Sequence, residues 1–382
     1  MNRSGLPTSL SVLSFLTLML SLFFSAVFST AAHAFPENVR HGYASCSSCH
    51  VSPTGGGVLT EYGRRASEEF LTTWGREGEN GFLWNVVPLP SNVAAGANVR
   101  HISYKRDLDG VRTEKRFIMQ VEGEVAVKLG RKVWVDFSRG GYNKFEQTQR
   151  AYVLVAPNDN LFLRAGKFFV PYGIYEADHT TMTRRDLGFD QGMETINAEI
   201  GLQSEAGEII GDVILGDSKT GDASIDPRSK DRGVMIRAAS YYGGKSQFGV
   251  NLLSTTGDFV DRNAFGAFAI TGLGERFLYL GEVDFEQKKL VSSLSGRKQN
   301  SALLSHQRVS FEATRGLHVS ANWDSLLPLK SDLHTRQWSA GPGIQWFPRP
   351  HFEFSVQAAK IYQGAYSDPR GYDLKMMSHL WL

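Results

Sequence analysis

From about Asn92 to the C-terminus, the sequence repeats long stretches in which apolar and polar residues alternate. Arg116–Leu129 shows the pattern, with Phe117, Met119 and Val121 in phase with one another and carboxylates such as Glu122 between the apolar positions. An alternation with a period of two places successive side chains on opposite faces of a β-strand. The pattern therefore predicts an all-β region whose strands have one apolar face and one polar face.

The length and number of these stretches distinguish a membrane barrel from a soluble sandwich. Strands of globular proteins average about 5–6 residues, whereas a tilted strand needs about 9–11 to cross a bilayer. Many stretches here reach that length, and aromatic pairs such as Trp346-Phe347 stand near their ends. About sixteen stretches are present, and an even number suits a bacterial single-chain barrel. We predict a transmembrane antiparallel β-barrel of about 16 strands over residues 92–382, and about fourteen or eighteen strands would also agree with the pattern.

The N-terminus has the layout of a secretory signal peptide, which predicts export. Arg3 precedes an apolar stretch from Leu10 to Phe28, and Ala32-His33-Ala34 fits a small-residue cleavage site. We assign residues 1–34 to this signal, with an uncleaved anchor helix as the alternative.

The chain has two cysteines, and both belong to one motif, Cys46-Ser47-Ser48-Cys49-His50. C-x-x-C-H is the attachment spacing of a c-type haem. The two thiols add to the haem vinyl groups and the adjacent imidazole ligates the iron. The motif predicts one covalent haem c, held by Cys46 and Cys49 with His50 as the proximal iron ligand.

Three other interpretations of the motif each need a different setting. A structural zinc site needs four ligands, usually in two pairs, and no second Cys/His pair follows. A redox-active dithiol is expected in a βαβ setting, whereas a Pro53–Gly57 loop follows here. A plain disulfide does not require His50. Haem attachment is the interpretation that uses every residue of the motif.

The distal iron ligand is left open by the sequence. No methionine occurs between Phe35 and Arg100, so His41 is the other local candidate and would give a bis-histidine iron. The alternatives are an open site, or ligation by His101 or His179. After the motif, a short helix capped by Thr60 is predicted to pack an apolar side on the porphyrin. Its repeating apolar residues are Leu59, Tyr62, Ala66 and Phe70.

The polar strand faces predict a hydrated lumen, and the overall charge excludes one class of partner. Glu122, Glu124, Lys128, Glu282 and Asp284 are interpreted as a solvated wall. The 382-residue chain has a net charge of +2, with no basic run that would favour a nucleic-acid partner. No hydrolytic or transferase motif is present.

Two parts of the chain resemble known families. Leu163–Gly173 resembles the strand and following loop of many general porins, and Trp381-Leu382 resembles the hydrophobic ending of outer-membrane barrels, although those usually end on an aromatic residue. The whole plan resembles the fused monohaem cytochrome–porins of the outer membrane, known from iron-oxidising bacteria. Pro53, Leu59, Tyr62 and Gly63 correspond to the loop and helix start of that family. Gly55-Gly56-Gly57 and Phe35–Arg40 depart from it.

This resemblance implies a division of the chain and a function. Residues 35–91 would form a monohaem cytochrome c module that could plug the barrel, and residues 92–382 the porin-like barrel. The expected function is electron transfer between an extracellular donor or acceptor, such as Fe(II), and a periplasmic carrier such as a soluble cytochrome. The alternatives are a diffusion porin with an appended haem module, and a haem enzyme with an open sixth position.

Overall fold

The computed structural model describes residues 36–47, 49–142, 146–175, 178, 180–189, 192–216, 231–257, 260–290, 298–329, 336–364 and 369–382. The predicted signal peptide lies outside these ranges. Within them, the helices are α1 (Pro36–Val39), α2 (Glu61–Leu71) and α3 (Met182–Arg185), with a 3₁₀ turn at Phe82–Asn85. No helix of these ranges is long and apolar enough to cross a membrane.

The strands dominate the described chain and form one closed sheet. Their bounds are β1 Val93–Leu108, β2 Val111–Leu129, β3 Val133–Tyr142, β4 Glu146–Asn158, β5 Leu161–Phe168, β6 Thr195–Ser204, β7 Gly207–Gly216, β8 Arg232–Tyr242, β9 Ser246–Thr256, β10 Val260–Leu273, β11 Phe277–Leu290, β12 Lys298–Thr314, β13 Leu317–Pro328, β14 Gln337–Trp346, β15 Phe352–Gln363 and β16 Gly371–Trp381.

The sheet closes because the last strand pairs with the first. Every strand is antiparallel to its sequence neighbours, and β16 pairs with β1 so that Trp381 faces Asn98. Just beyond, Ala97 and Leu382 exchange backbone hydrogen bonds of 3.3 and 2.9 Å. The prediction of an antiparallel barrel of about 16 strands is confirmed, and the C-terminal stretch forms the closing strand.

The barrel exposes large apolar side chains on its outer face and buries charged side chains inside, next to buried apolar clusters. Large exposed apolar side chains on the strands include Val121, Val135, Ile200, Leu252, Phe265, Val283, Val319 and Phe354. Buried charged side chains on the strands include Glu122, Arg150, Arg164, Glu199, Arg237, Arg262, Glu282, Asp284 and Arg308. This arrangement is the reverse of a soluble core and follows from the period-two pattern of the sequence.

One part of β2 departs from the predicted alternation. The register between β1 and β2 shifts between Arg100 and His101, so Gln120 pairs with Arg100 but Ile118 pairs with His101. The extra residue, Met119, is 5% exposed, whereas Ile118 is 60% exposed. A bulge of this kind reverses the phase of the side chains beyond it. Met119 therefore does not share the outer face of Val121, and that part of the sequence prediction is wrong.

Two segments occupy the lumen. Residues 36–92, here called the N-terminal segment, contact the end where short turns connect the strands, since Trp74 N–H donates to the Pro348 carbonyl in the turn between β14 and β15 over 3.0 Å. Residues 169–194, here called the inner loop, connect β5 to β6 at the other end, and their described residues Tyr172 and Ile174 contact the inward-facing Asp284 and Glu282. Ile174 of the inner loop belongs to one buried apolar cluster with Val39 and Ala44 of the N-terminal segment. The two segments thus meet inside the barrel.

Candidate functional site

Cys49 and His50 begin a tight backbone hairpin that ends at Thr60, here called the C-x-x-C-H hairpin. Thr60 N–H donates to the Cys49 carbonyl over 2.7 Å, and Val51 N–H donates to the Val58 carbonyl over 3.0 Å. The tip contains Gly55, Gly56 and Gly57, all with positive φ. A Cβ on Gly56 would lie 2.5 Å from the Tyr175 ring. Glycines are needed at this tip both for its backbone conformation and for its contact with the inner loop.

Helix α2 packs directly on this hairpin. Thr60 caps it by accepting a 3.1 Å hydrogen bond from Gly63 N–H, as the sequence predicts. A Cβ on Gly63 would lie 2.3 Å from the Cys49 carbonyl oxygen, so the helix and hairpin backbones are in contact. Ala66 is buried in the same cluster as Cys49. The predicted apolar face is wrong at Tyr62, which is 48% exposed.

Gly63→Ala is expected to loosen the N-terminal segment, because the added methyl group would meet the Cys49 backbone. Overpacking of this kind costs about 1–3 kcal/mol, or about 5- to 160-fold in the population of an opened segment. Limited proteolysis of the N-terminal segment measures that population. The matched control is Gly123→Ala on β2, where an added Cβ meets no atom within 4 Å. Equal cleavage rates for the two variants would contradict the packing described here.

His50 is oriented by the hairpin. Its Nδ1 lies 3.3 Å from the Gly57 carbonyl oxygen. A carbonyl can only accept, so Nδ1 carries the proton and Nε2 carries the lone pair. Metal-ligating histidines commonly donate their other ring N–H to a backbone carbonyl, which fixes the tautomer. The His50 ring is therefore in the form that an iron ligand requires.

A cavity inside the barrel brings the motif residues to one place. We call it the lumen cavity; it lies between the N-terminal segment, the inner loop and the barrel wall. Cys46 and His50 both line it, and its open space, including the part continuous with solvent, is ≈ 2020 Å³. Cys49 is 1% exposed and clusters with Leu59, Phe347 and Trp381. These three neighbours line the same cavity.

The chemistry of the two thiols fits attachment of a haem. Both cysteines are free thiols. Burial, with the Glu208 carboxylate adding to it, raises the pKa of the Cys46 thiol to about 12. A redox-active dithiol uses a lowered pKa, so this environment is the opposite of what that interpretation needs. Cys46 and the oriented His50 imidazole at the cavity wall, with the buried Cys49 beside them, are a donor set that suits a haem c.

A structural metal site was one alternative to haem attachment at the two cysteines. Within the described ranges, no three His, Cys, Asp or Glu side chains are grouped as a metal site would need.

His41, the predicted distal ligand, does not line the lumen cavity. Its Nε2 accepts a 3.1 Å hydrogen bond from Arg40, and its ring stacks on Phe70 with centroids 5.0 Å apart. Burial and then the Arg40 charge lower the pKa of His41. The structure does not bring His41 and His50 together across the cavity. Its role as ligand stays a prediction.

The sequence also left His101 and His179 open as distal iron ligands. His101 is exposed on β1, opposite the bulge of β2, and does not line the lumen cavity. His179 lies outside the described residues.

Charged residues of the wall hold the N-terminal segment in place, through partners that the sequence does not predict. Arg308 on β12 pairs with Glu37 at 2.8 Å, and Glu312 on the same strand pairs with Arg40 at 2.8 Å. Arg164 on β5 donates to Ser52 Oγ at 2.9 Å and to Thr54 Oγ1 at 3.0 Å. Inward strand positions were identifiable from the alternation. Their partners were not, since they lie more than a hundred residues away.

The predicted hydrated wall is also revised. Asp284 accepts a 3.0 Å hydrogen bond from the Tyr172 hydroxyl, and Glu282 accepts one of 3.0 Å from the Ile174 N–H. Both donors belong to the inner loop.

The remaining charges of that predicted wall have protein contacts too. Glu122 and Glu124 pair with Arg150 at 2.9 and 2.8 Å, and Lys128 lies 5.5 Å from the Trp134 ring centroid. Their partners, Arg150 on β4 and Trp134 on β3, belong to the barrel wall itself.

Comparison with solved structures shows the class of fold. OmpTΔL8, a loop-deletion mutant of an outer-membrane protein of Vibrio cholerae, aligns with a TM-score of 0.56 and 7% identity over 76% of this chain and 99% of its own. An anion-selective porin from Comamonas acidovorans aligns with a TM-score of 0.55 and 13% identity, over 76% of this chain and 99% of its own. The outer-membrane channel DcaP of Acinetobacter baumannii gives a TM-score of 0.53 and 8% identity, over 76% and 97%.

No protein-family model and no curated protein sequence matches the chain. The three alignments cover 76% of this chain, about the fraction that the strands and their connections occupy. They establish a porin-like barrel and leave the N-terminal segment to be interpreted from its own residues.

Proposed function

We propose that this protein transfers electrons in the bacterial outer membrane through one haem c held inside its barrel. The observation that supports this most is the placement of His50. Its Nδ1–H is held by the Gly57 carbonyl, and it lines the lumen cavity together with Cys46. A covalently attached haem would supply a one-electron redox centre at this position.

The outer membrane is proposed from the surface of the barrel. A closed barrel with an apolar exterior is one of two structures that can span lipid, since every backbone group of its strands is paired. Large apolar side chains such as Leu252 and Phe265 are exposed on the outer face. In barrels of this type the short turns face the periplasm. The N-terminal segment would then enter the lumen from the periplasmic side.

A haem inside the barrel would shorten the distance that electrons must cross. The apolar band of an outer-membrane barrel is about 25 Å tall, too far for a centre on the periplasmic surface to serve the outside directly. Cys46 and Cys49 would fix the haem beside the lumen cavity, and His50 would hold its proximal side. The partners would be an extracellular donor or acceptor, such as Fe(II), and a periplasmic carrier such as a soluble cytochrome.

The test uses the intact protein in isolated outer membranes. We expect a haem-staining band that survives denaturation, and a haem whose redox state changes when membrane-impermeant reductants or oxidants are added outside. The same reagents added to vesicles without the protein give the background. A protein without covalent haem, or a haem that does not respond to external reagents, would refute the proposed function.

Solute diffusion is a second candidate, because related structures named by their function are channels or porins. The lumen cavity also has polar lining residues such as Gln357 and Lys375. If diffusion is the function, the purified protein conducts in a planar bilayer, and Cys46→Ala with Cys49→Ala leaves that conductance unchanged. If the electron-transfer proposal holds, the intact protein conducts poorly because two segments fill its lumen.

A further inference from the structure

His379 on the closing strand lies on the same cavity as the proposed proximal ligand. It occupies an inward position of β16, is buried, and lines the lumen cavity with His50. Trp381 follows two residues further along the strand, and its ring centroid lies 5.0 Å from that of His379. Trp381 also packs in one buried cluster with Cys49 and Leu59. The inward face of β16 is therefore in contact with the C-x-x-C-H hairpin.

A carboxylate orients the His379 ring. Glu353 stands directly opposite on β15, and its Oε2 lies 2.8 Å from His379 Nδ1. The other oxygen of Glu353 accepts from Gln345 Nε2 at 2.8 Å, so the carboxylate is itself fixed. An ionised carboxylate accepts only, and Nδ1 therefore carries the proton. A histidine that donates to a carboxylate in this way is the usual outer-shell arrangement of a metal ligand.

Nε2 of His379 contacts Asn98 Oδ1, which can only accept, so this orientation of the amide places a proton on Nε2. A lone pair lies on Nε2 when the amide has the reverse orientation and its NH₂ group faces the ring. Asn98 also lines the lumen cavity, at the junction where β1 meets β16. An amide is a neutral partner that can rotate away or turn its NH₂ group toward Nε2. The nitrogen that a metal would need is held at the cavity wall by a replaceable contact.

Other side chains at this cavity are less well prepared as ligands. Nε2 of His318 lies 3.1 Å from the Arg40 guanidinium and 3.5 Å from a Glu312 oxygen, so its ring belongs to the ion pair that holds the N-terminal segment. Met119 and Met377 line the cavity, and a thioether is a possible haem ligand. A thioether has no N–H through which a carboxylate could orient it.

We infer that His379 supplies the distal ligand of the haem iron, so that the barrel wall and not the N-terminal segment completes the coordination. The inference rests on the proposed haem function. The bond would form between the Nε2 lone pair and the iron, and Asn98 would release its contact. The haem would then be bonded covalently to Cys46 and Cys49 and coordinated by His379, which lies more than three hundred residues further along the chain.

The experiment compares spin states in purified, haem-loaded protein. We expect a low-spin bis-histidine spectrum for the natural protein. His379→Ala should give a high-spin haem whose ferrous form binds carbon monoxide at least 10-fold more readily, and added imidazole should restore the low-spin spectrum. His379→Met should keep a low-spin iron with a raised reduction potential, since Met/His ligation raises it.

His41→Ala and Met377→Leu are the matched controls, and both should retain the natural spectrum. A low-spin His379→Ala protein would overturn the inference, as would a high-spin His41→Ala or Met377→Leu protein. The His379→Met variant covers the case in which the alanine variant does not fold. Absence of covalent haem from the natural protein would instead refute the proposed function, so the two failures are distinguishable.

Discussion

Replacing both Cys46 and Cys49 with serine is expected to abolish covalent haem and, with it, every redox response of the protein. A hydroxyl does not form the thioether that links haem to C-x-x-C-H, so haem could be held only by packing and by coordination through His50 and the inferred ligand His379. Haem staining after denaturation measures attachment, and spectra of outer membranes treated with impermeant reagents measure the redox response. We expect both signals to fall to background.

Ser47→Ala is the matched control, because Ser47 lies between the two cysteines and its hydroxyl contacts only Ser45 Oγ among the hydrogen bonds described here, at 3.0 Å. That variant should stain as strongly as the natural protein. Retention of a denaturation-resistant haem by the double serine variant would show that the motif does not attach it. Folding of the variant barrel is followed separately, by the shift in gel mobility on heating.

Arg164→Leu is expected to destabilise the protein by about 3–5 kcal/mol, the usual cost of leaving one member of a buried ion pair alone. Arg164 pairs with Glu199 at 2.9 Å, and the two side chains are 2% and 0% exposed. The same guanidinium also donates to Ser52 Oγ and Thr54 Oγ1 of the N-terminal segment. Unfolding in guanidinium chloride measures the free energy, and limited proteolysis should show faster cleavage of that segment.

The matched control is Arg65→Leu. Arg65 pairs with Glu61 at 2.6 Å on α2, but these side chains are 68% and 80% exposed. An exposed i,i+4 pair contributes only about 0.3–0.5 kcal/mol. Adding Glu199→Gln to Arg164→Leu should recover part of the lost stability, because the uncompensated carboxylate is then neutral. Similar losses for the Arg164 and Arg65 variants would contradict the view that this wall pair is desolvated.

The period-two pattern was sufficient to predict the barrel, because exposure in a strand is a local property of alternate residues. Strands such as β11 could be read from Phe277–Glu286 alone, and the closing strand from Tyr372–Leu382. Thr60 could likewise be identified as a helix cap from its position before an apolar run. The C-x-x-C-H motif was equally local, so the identity of Cys46, Cys49 and His50 as candidates required no structure.

The sequence by itself therefore determined the strands, their approximate number and the residues of the haem motif. The tertiary structure decided what depends on contacts between distant residues. A register shift opposite Arg100 turned Met119 inward, and no local pattern encodes the partner that causes such a shift. Closure of the barrel brought His379 to the cavity of His50, since β16 must pair with β1. Alternation predicts which face of a strand a side chain occupies, whereas strand pairing and barrel closure decide which residues it contacts there.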